Sequence, residues 1–189
     1  LMLAALAEGG HSMADFGAVA HRVVHGGEGL RAPCRITPQT RAQIAAAVPL
    51  APLHNPPALA GIDAFAIRNP ALPQFASFDT AFHAGQPKVA TTYALPAQLR
   101  ARGIRRYGFH GLSYASLVAT LGDSLPERLL AFHLGAGVSL CAIHNGKSVA
   151  TSMGYSPLSG PTMATRAGDI DAAAVLRLAA EDGIAATES

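Results

Sequence analysis

The chain has 189 residues, half of them hydrophobic and 14% charged, with a formal net charge of +2. That composition suits a folded protein with a real core rather than a disordered chain. The charge is nearly balanced and the basic residues nowhere form a dense run, so nucleic acid is not an expected partner.

In chain order, "LMLAALAEGG" (1–10) is apolar without a basic leader and reads as a helix end rather than a signal peptide. Leu1, in place of Met, reads as the edge of something longer. "FGAVAHRVVHGGE" (16–28) is a β-like run stopped by Gly26-Gly27. Thr37 as N-cap and Pro38 at the first helical position predict a helix over 37–48. "APLHNPP" (51–57) reads as a proline-braced loop, because residues before proline are pushed towards extended geometry. The next stretch predicts a helix with Leu59, Ile62 and Ala66 on one face. "PQFASFD" (73–79) reads as a buried strand ending in an acid, and a shift of composition over 83–96 marks a candidate domain boundary.

The second half alternates in the same way. "LPAQLRARG" predicts a short helix, whose arginines with Arg105 and Arg106 read as a solvated helix end and loop. "GLSYASLVATLG" predicts an amphipathic helix with Tyr114, Leu117, Val118 and Leu121 on its apolar face. Residues 129–152 then read as three strands and two tight turns. The Asn145-Gly146 turn is an ordinary hairpin signal, but Gly135-Ala136-Gly137 is a bend almost without side chains. "GDIDAAAVLRLAAEDG" predicts a last helix with Asp169 as N-cap, Asp171 in its first turn and Gly183 past its end. Mixed strands and helices indicate an α/β protein.

Cys34 and Cys141 lack metal-like spacing and read as free thiols of a reducing, cytoplasmic compartment. No apolar run approaches a membrane span, so no membrane partner is expected.

Several strands end in an ionisable residue beside glycine or proline: Arg22 and His25, Asp79, His133, and Arg166 in "MATRAGD". Singly, each reads equally as a surface ion pair, a cap or a structural histidine; together, strand ends are where sites are built. Eight histidines suggest metal binding, but no HExxH or paired Cys/His spacing supports a zinc site. Phosphate binding is the better chemistry, because a glycine-flanked bend exposes N–H groups where a Cβ would collide. A plain tight turn remains the alternative for that bend.

"HRVVHGGE", "APLHNPPALAGI", "FDTAFH", "YALP", "RRYGFHGLS", "HLGAG", "GKSVATSMGYSPL" and "ATRAGDID" follow one another from about residue 16 onward. In that order they resemble the central part of the acetate kinase family, which includes acetate, propionate and butyrate kinases. The resemblance implies an actin-like, ribonuclease-H-like ATPase fold, incomplete here, with parts of two domains. Residues 1–85 would be the remainder of the N-terminal domain and 86–189 the start of the nucleotide-binding domain. It also implies transfer of a phosphoryl group from ATP to acetate with Mg²⁺, giving acetyl phosphate and ADP, in a cytoplasmic and possible homodimeric enzyme.

Residue by residue, Arg22 matches the arginine that binds the carboxylate or the transferring phosphoryl. Asp79 matches the catalytic aspartate, and His110 and Arg166 match residues that stabilise the transition state. His133, Leu134, Gly135, Ala136 and Gly137 match the ATP-phosphate segment. Val24, Leu53, Phe109 and Pro157 match the apolar pocket for the alkyl end of the substrate, with His54 among the active-site histidines. No metal ligand is assigned.

A carboxylate is ionised near neutral pH, with a pKa of about 4 to 5, so the chemistry needs alignment and charge cancellation more than a base. Asp79 is accordingly expected to orient metal, water or an arginine. Selectivity for chain length is expected to be weak, since each methylene is worth only about 1–3 kcal/mol.

The chain departs from the family pattern at Ala136, where Asn is usual, at Ala164, where Gly is usual, and in "LSGPT" after Pro157. Family members also extend beyond both ends, so feeble or absent activity is expected of this piece alone. The other readings are a propionate or butyrate kinase, a truncated non-catalytic nucleotide-binding module, and a zinc hydrolase.

Overall fold

A computed structural model describes residue 5 and residues 8–182 of the chain. Most of "LMLAALAEGG", and Gly183, lie outside the described residues. The first layer is a three-stranded sheet in the order β1 (Val19–Val23), β3 (Gln74–Phe78), β2 (Cys34–Arg35). β1 and β3 run parallel, with Arg22 opposite Ser77 and Val23 opposite Phe78. Parallel strands in that register end at the same edge, so Arg22 and Asp79 emerge side by side.

Helix α1 (Pro38–Ala46) starts as its sequence predicts, with the Thr37 hydroxyl accepting from the Thr40 amide at 3.2 Å. Helix α2 spans Asn55–Arg68 and starts earlier than expected, taking up half of the supposed loop. The reason is that Pro56 and Pro57 fall in its first turn, where missing N–H groups are no loss. Its buried apolar residues are Leu59, Ile62 and Phe65, whereas Ala66 faces outward. Val23, Phe78, Ala76, Ile44, Leu59, Ile62 and Leu30 form the core between sheet and helices.

A short helix, α3 (Lys88–Thr91), lies in the segment of changed composition, and α4 (Ala97–Arg100) follows it as the expected short helix. Arg106 is not a solvated loop residue: its guanidinium donates to the carbonyls of Ser152 and Met153 at 3.3 and 2.9 Å and lies over the Tyr93 ring. Helix α5 (Gly111–Leu121) follows, burying Tyr114 against the second sheet.

That sheet is the antiparallel meander β4 (Arg128–Leu134), β5 (Val138–His144), β6 (Lys147–Thr151). Asn145 and Gly146 turn β5 into β6 with φ of 47° and 73°, the geometry their sequence predicts. Ala131, Cys141 and Ile143 meet Tyr114 in a second core. The last helix, α6 (Ala172–Asp182), is capped by Asp171, whose carboxylate accepts from the Ala173 amide at 2.8 Å. Asp169, expected in that role, instead clasps Gly160: its carboxylate accepts from the Gly160 amide and its own amide donates to the Gly160 carbonyl, both at 2.8 Å. A carboxylate two residues further on is the one in reach of the first free helical amides.

Cys34 and Cys141 are unpaired. Among the described residues, no helix is long and apolar enough to cross a membrane.

Candidate active site

The common edge of β1 and β3 places the first two polar groups. Asp79 is 2% exposed, and both its oxygens are held by Arg22, through Nε at 3.0 Å and Nη2 at 2.6 Å. This bidentate fork aligns the guanidinium as well as neutralising the acid. The Arg22 side chain is 61% exposed, so one side of that guanidinium stays open to solvent and to a ligand. The carboxylate holds the Arg22 pKa above its ordinary value.

The Asp79 main chain anchors the third group. Its carbonyl accepts from the Gly111 amide at 2.9 Å, at the start of α5. A Cβ on Gly111 would lie 2.1 Å from that oxygen, so this approach requires glycine. His110, just before, has left-handed backbone geometry, φ 57° and ψ 18°, which a β-carbon disfavours. Its Nδ1 meets the Ser139 hydroxyl at 2.9 Å, and its ring stacks on His133 with centroids 3.9 Å apart. His133 in turn meets the Ser113 hydroxyl at 3.0 Å. Burial, then the neighbouring His133, pushes the His110 pKa down to about 4; Asp79 opposes this, and Arg166 and Arg22 add to it. His133 thus stacks on the ring, and Arg166 shares the Gly137 face with it.

The bare bend closes the arrangement. Gly137 faces His110 and Arg166: a Cβ there would sit 3.0 Å from His110 Nε2 and 3.2 Å from Arg166 Nη2. At Gly135 a Cβ would meet only ordinary contacts, 3.6 Å or more away. The bend is stripped at Gly137 because two cationic or donor side chains crowd it, whereas Leu134, Gly135 and Ala136 are exposed. Arg166 is braced by the Pro157 carbonyl, which accepts from its Nη1 at 2.8 Å.

An apolar floor explains how segments so far apart in sequence converge. Val24, Ala51, Phe109, Met153 and Met163 form one buried cluster, with Val138 against it. Val24 follows Arg22 by two residues, Phe109 precedes His110, Val138 follows Gly137, and the Met163 amide donates to the Arg166 carbonyl at 2.9 Å. Burying the floor thus brings the polar groups to one rim. Of the pocket residues expected from the resemblance, Val24 and Phe109 belong to this floor and Pro157 lies at the Arg166 brace. Leu53 is 67% exposed and outside the cluster, and His54 is exposed at the start of α2 without a capping bond from its side chain.

Three supporting residues escape a reading by motif. His83 is buried, with Nδ1 facing the Ser148 hydroxyl at 2.8 Å and Nε2 the Phe109 carbonyl at 2.9 Å, and burial pushes its pKa to about 4. Ser139 is fully buried between His110 and Tyr114. Tyr114 was legible only as a core face. The signal for Ser139 is the strand period: residues 139, 141 and 143 point inward, and an inward serine demands partners.

A magnesium ion does not fit protein ligands alone here. Among the described residues no group of three or more His, Cys, Asp or Glu converges, and the Asp79 oxygens are both engaged by Arg22. The zinc-hydrolase reading has no ligand set among those residues either.

Known proteins share this arrangement's scaffold. The family model described as the acetokinase family matches residues 1–189. An acetate kinase of Rhodopseudomonas palustris is 47% identical over 176 residues, which cover 90% of this chain and 44% of the relative. A propionate kinase of Citrobacter rodentium is also 47% identical, over 91% of this chain and 44% of its own length. A solved propionate kinase of Francisella tularensis superposes with a TM-score of 0.90 at 38% identity, over 99% of this chain and 50% of that one. The chain thus spans about half the length of the relatives it matches, and its mixed sheets and helices are part of an actin-like ATPase fold. It belongs to the acetokinase family.

Proposed function

We propose that this chain carries the phosphoryl-transfer centre of a short-chain carboxylate kinase, in which ATP and acetate give acetyl phosphate and ADP. The observation that carries the reading is the meeting of His110 and Arg166 over Gly137, with the Arg22–Asp79 fork tied to the same place through the Asp79 carbonyl and the Gly111 amide next to His110. Residues 1–85 bring the Arg22–Asp79 fork and 86–189 bring His110, the bend and Arg166.

In the reaction, an acetate oxygen attacks the terminal phosphorus as the bond to the bridging oxygen breaks, and ADP leaves with that electron pair. No proton moves, because the nucleophile is already an anion. What opposes the reaction is the meeting of two anions. Two guanidiniums and an imidazole donor on the phosphoryl oxygens cancel that charge, each worth roughly 2.7–4 kcal/mol of barrier by analogy with oxyanion-hole donors. Asp79 acts by holding Arg22 in place, as its bidentate contact supports. Magnesium belongs to the substrate, arriving on the nucleotide's phosphate oxygens.

Propionate is the second reading, favoured by the propionate kinase relatives; an apolar floor of Val24, Phe109 and Met163 discriminates weakly between chain lengths. Because the chain corresponds to 44% of its acetate kinase relative, its activity alone is expected to be feeble. Calorimetric titration with ADP and Mg²⁺ tests the reading: binding is expected, and Arg166→Ala is expected to weaken it. No binding, or binding indifferent to Arg166, sinks the proposal. Trapping acetyl phosphate as its hydroxamate tests the expected low turnover; formation at ordinary enzyme rates overturns it.

A further inference from the structure

The groups behind His110 determine which of its nitrogens bears the proton. Nδ1 lies 2.9 Å from the Ser139 hydroxyl, and the Tyr114 hydroxyl lies 2.6 Å from the same oxygen. Ser139 is 0% exposed and Tyr114 1%, so water is not an alternative partner. Among the described residues, the only side-chain partner of the Tyr114 hydroxyl is Ser139, the His133 backbone beside it acting as a donor to the phenol oxygen, and the Ser139 hydroxyl bonds only to Tyr114 and His110.

Only one direction satisfies every proton. If Ser139 donated to Tyr114, the phenol hydrogen would be buried without an acceptor, at a cost of about 1–3 kcal/mol. Tyr114 therefore donates to Ser139. Burial raises its pKa, so the phenol keeps its proton. The Ser139 hydrogen then has one acceptor left, His110 Nδ1. That nitrogen must present its lone pair, which places the ring hydrogen on Nε2. Nε2 is the atom that faces the bend, 3.0 Å from the position of a Gly137 Cβ.

We propose that Tyr114 and Ser139 are positioning residues that lock His110 as its Nε2–H tautomer, so that the ring can donate a hydrogen bond to a phosphoryl oxygen but cannot take a proton. The donor role rests on reading the site as a phosphoryl-transfer centre; the lock itself does not. The opposite tautomer would turn a lone pair towards an anionic oxygen and repel it. The charged and titratable groups around the ring are His133 from β4, Asp79 after β3, Arg22 from β1 and Arg166 from the loop after β6. Of these only Asp79 favours a second proton, and burial outweighs it, so the ring stays neutral well below pH 7.

The test is a long-range nitrogen–proton correlation spectrum of the full 189-residue chain labelled at histidine, near neutral pH, with His110 assigned through His110→Asn. A single Nε2–H pattern is expected for His110. Ser139→Ala is expected to lose that pattern to a mixture of tautomers. Tyr114→Phe, which keeps the ring and its packing, is expected to lose it in part. His83, held by separate partners, should keep its pattern in both variants and so reports an intact fold. An Nδ1–H or doubly protonated His110 in the unaltered chain, or an unchanged pattern in both variants, overturns the lock. Adding a non-hydrolysable ATP analogue with Mg²⁺ reads the donor role separately: a shifted Nε2 signal supports it, and an unmoved one at saturating analogue overturns it.

Discussion

Gly111→Ala is the sharpest test of how the site is assembled. The new Cβ would lie 2.1 Å from the Asp79 carbonyl oxygen and 2.9 Å from the Phe82 Cβ. Backbone oxygen cannot swing aside as a long side chain can, so α5 must retreat by about 1 Å to recover an ordinary contact. That retreat breaks the 2.9 Å bond from the Gly111 amide to Asp79, and it loosens Tyr114 and Phe82 on the same side of the helix. Overpacking of this kind costs about 1–3 kcal/mol and the lost bond about 0.5–1.5 kcal/mol. Together they come to about 2–4 kcal/mol, a large part of the roughly 5–15 kcal/mol that stabilises a domain. In urea denaturation the midpoint is expected to fall by about 1–2 M. Gly85→Ala is the control: a Cβ there meets nothing within 4 Å, and a change within about 0.5 kcal/mol is expected. A Gly111→Ala midpoint matching the control would refute the claim that this amide–carbonyl contact ties the two sheets at the site.

Gly137→Ala places a methyl 3.0 Å from His110 Nε2, so ADP–Mg²⁺ affinity in calorimetry is expected to fall by about tenfold or more; unchanged affinity would remove the bend from the phosphate site. Arg22→Ala strands the buried Asp79 carboxylate and is expected to lower stability by about 1–3 kcal/mol, part of which Asp79→Asn added to it should restore. No restoration in the double variant's urea midpoint would mean that the acid is not held by that arginine. His25, His83 and His110 are each held, by burial first, near a pKa of about 4, against an ordinary 6.5. Above about pH 6.5 both folded and unfolded states are neutral and this stability is full; as pH falls from there towards 4, only the unfolded chain takes up the protons. Urea midpoints should therefore decline on acidification through that window, by about 1.4 kcal/mol per pH unit per histidine. A flat profile across it would show that none of the three rings stays neutral in the fold.

What could be read from the sequence follows the range of the physics involved. The start of α1, the Asn145-Gly146 turn and the three-strand meander were legible because each is decided by a few adjacent residues. The start of α2 was not, since the extended geometry imposed before proline competes with proline's fitness for a first helical turn. Asp169 and Asp171 are both plausible caps, and only the position of Gly160, which comes from the fold, assigns them. At the site, the ionisable residues at strand ends stood out one by one. Their meeting was legible only through the family resemblance and not from the residues themselves, because it depends on the register of β1 with β3 and on burying Val24, Phe109, Val138 and Met163 together. The Tyr114–Ser139–His110 chain was hidden for the same reason, since Tyr114 and Ser139 read alone as an ordinary helix and strand residue.

Three successive residues show why the strain at His110 persists. The Phe109 side chain enters the apolar floor while its carbonyl receives His83 Nε2 at 2.9 Å. The Gly111 amide, two residues on, is tied to Asp79 at the end of the first sheet. The chain between must reverse sharply, and left-handed geometry at His110 is how it does so. For a residue with a Cβ that geometry costs on the order of 1–3 kcal/mol, and glycine would adopt it freely. Glycine, however, could not carry an imidazole to the bend or receive the Ser139 hydroxyl. The anchors on both sides over-determine the backbone, so the ring is delivered to one place in one orientation. A donor fixed in this way needs no reorganisation when negative charge develops beside it, which is where an electrostatic site gains most of its advantage over water.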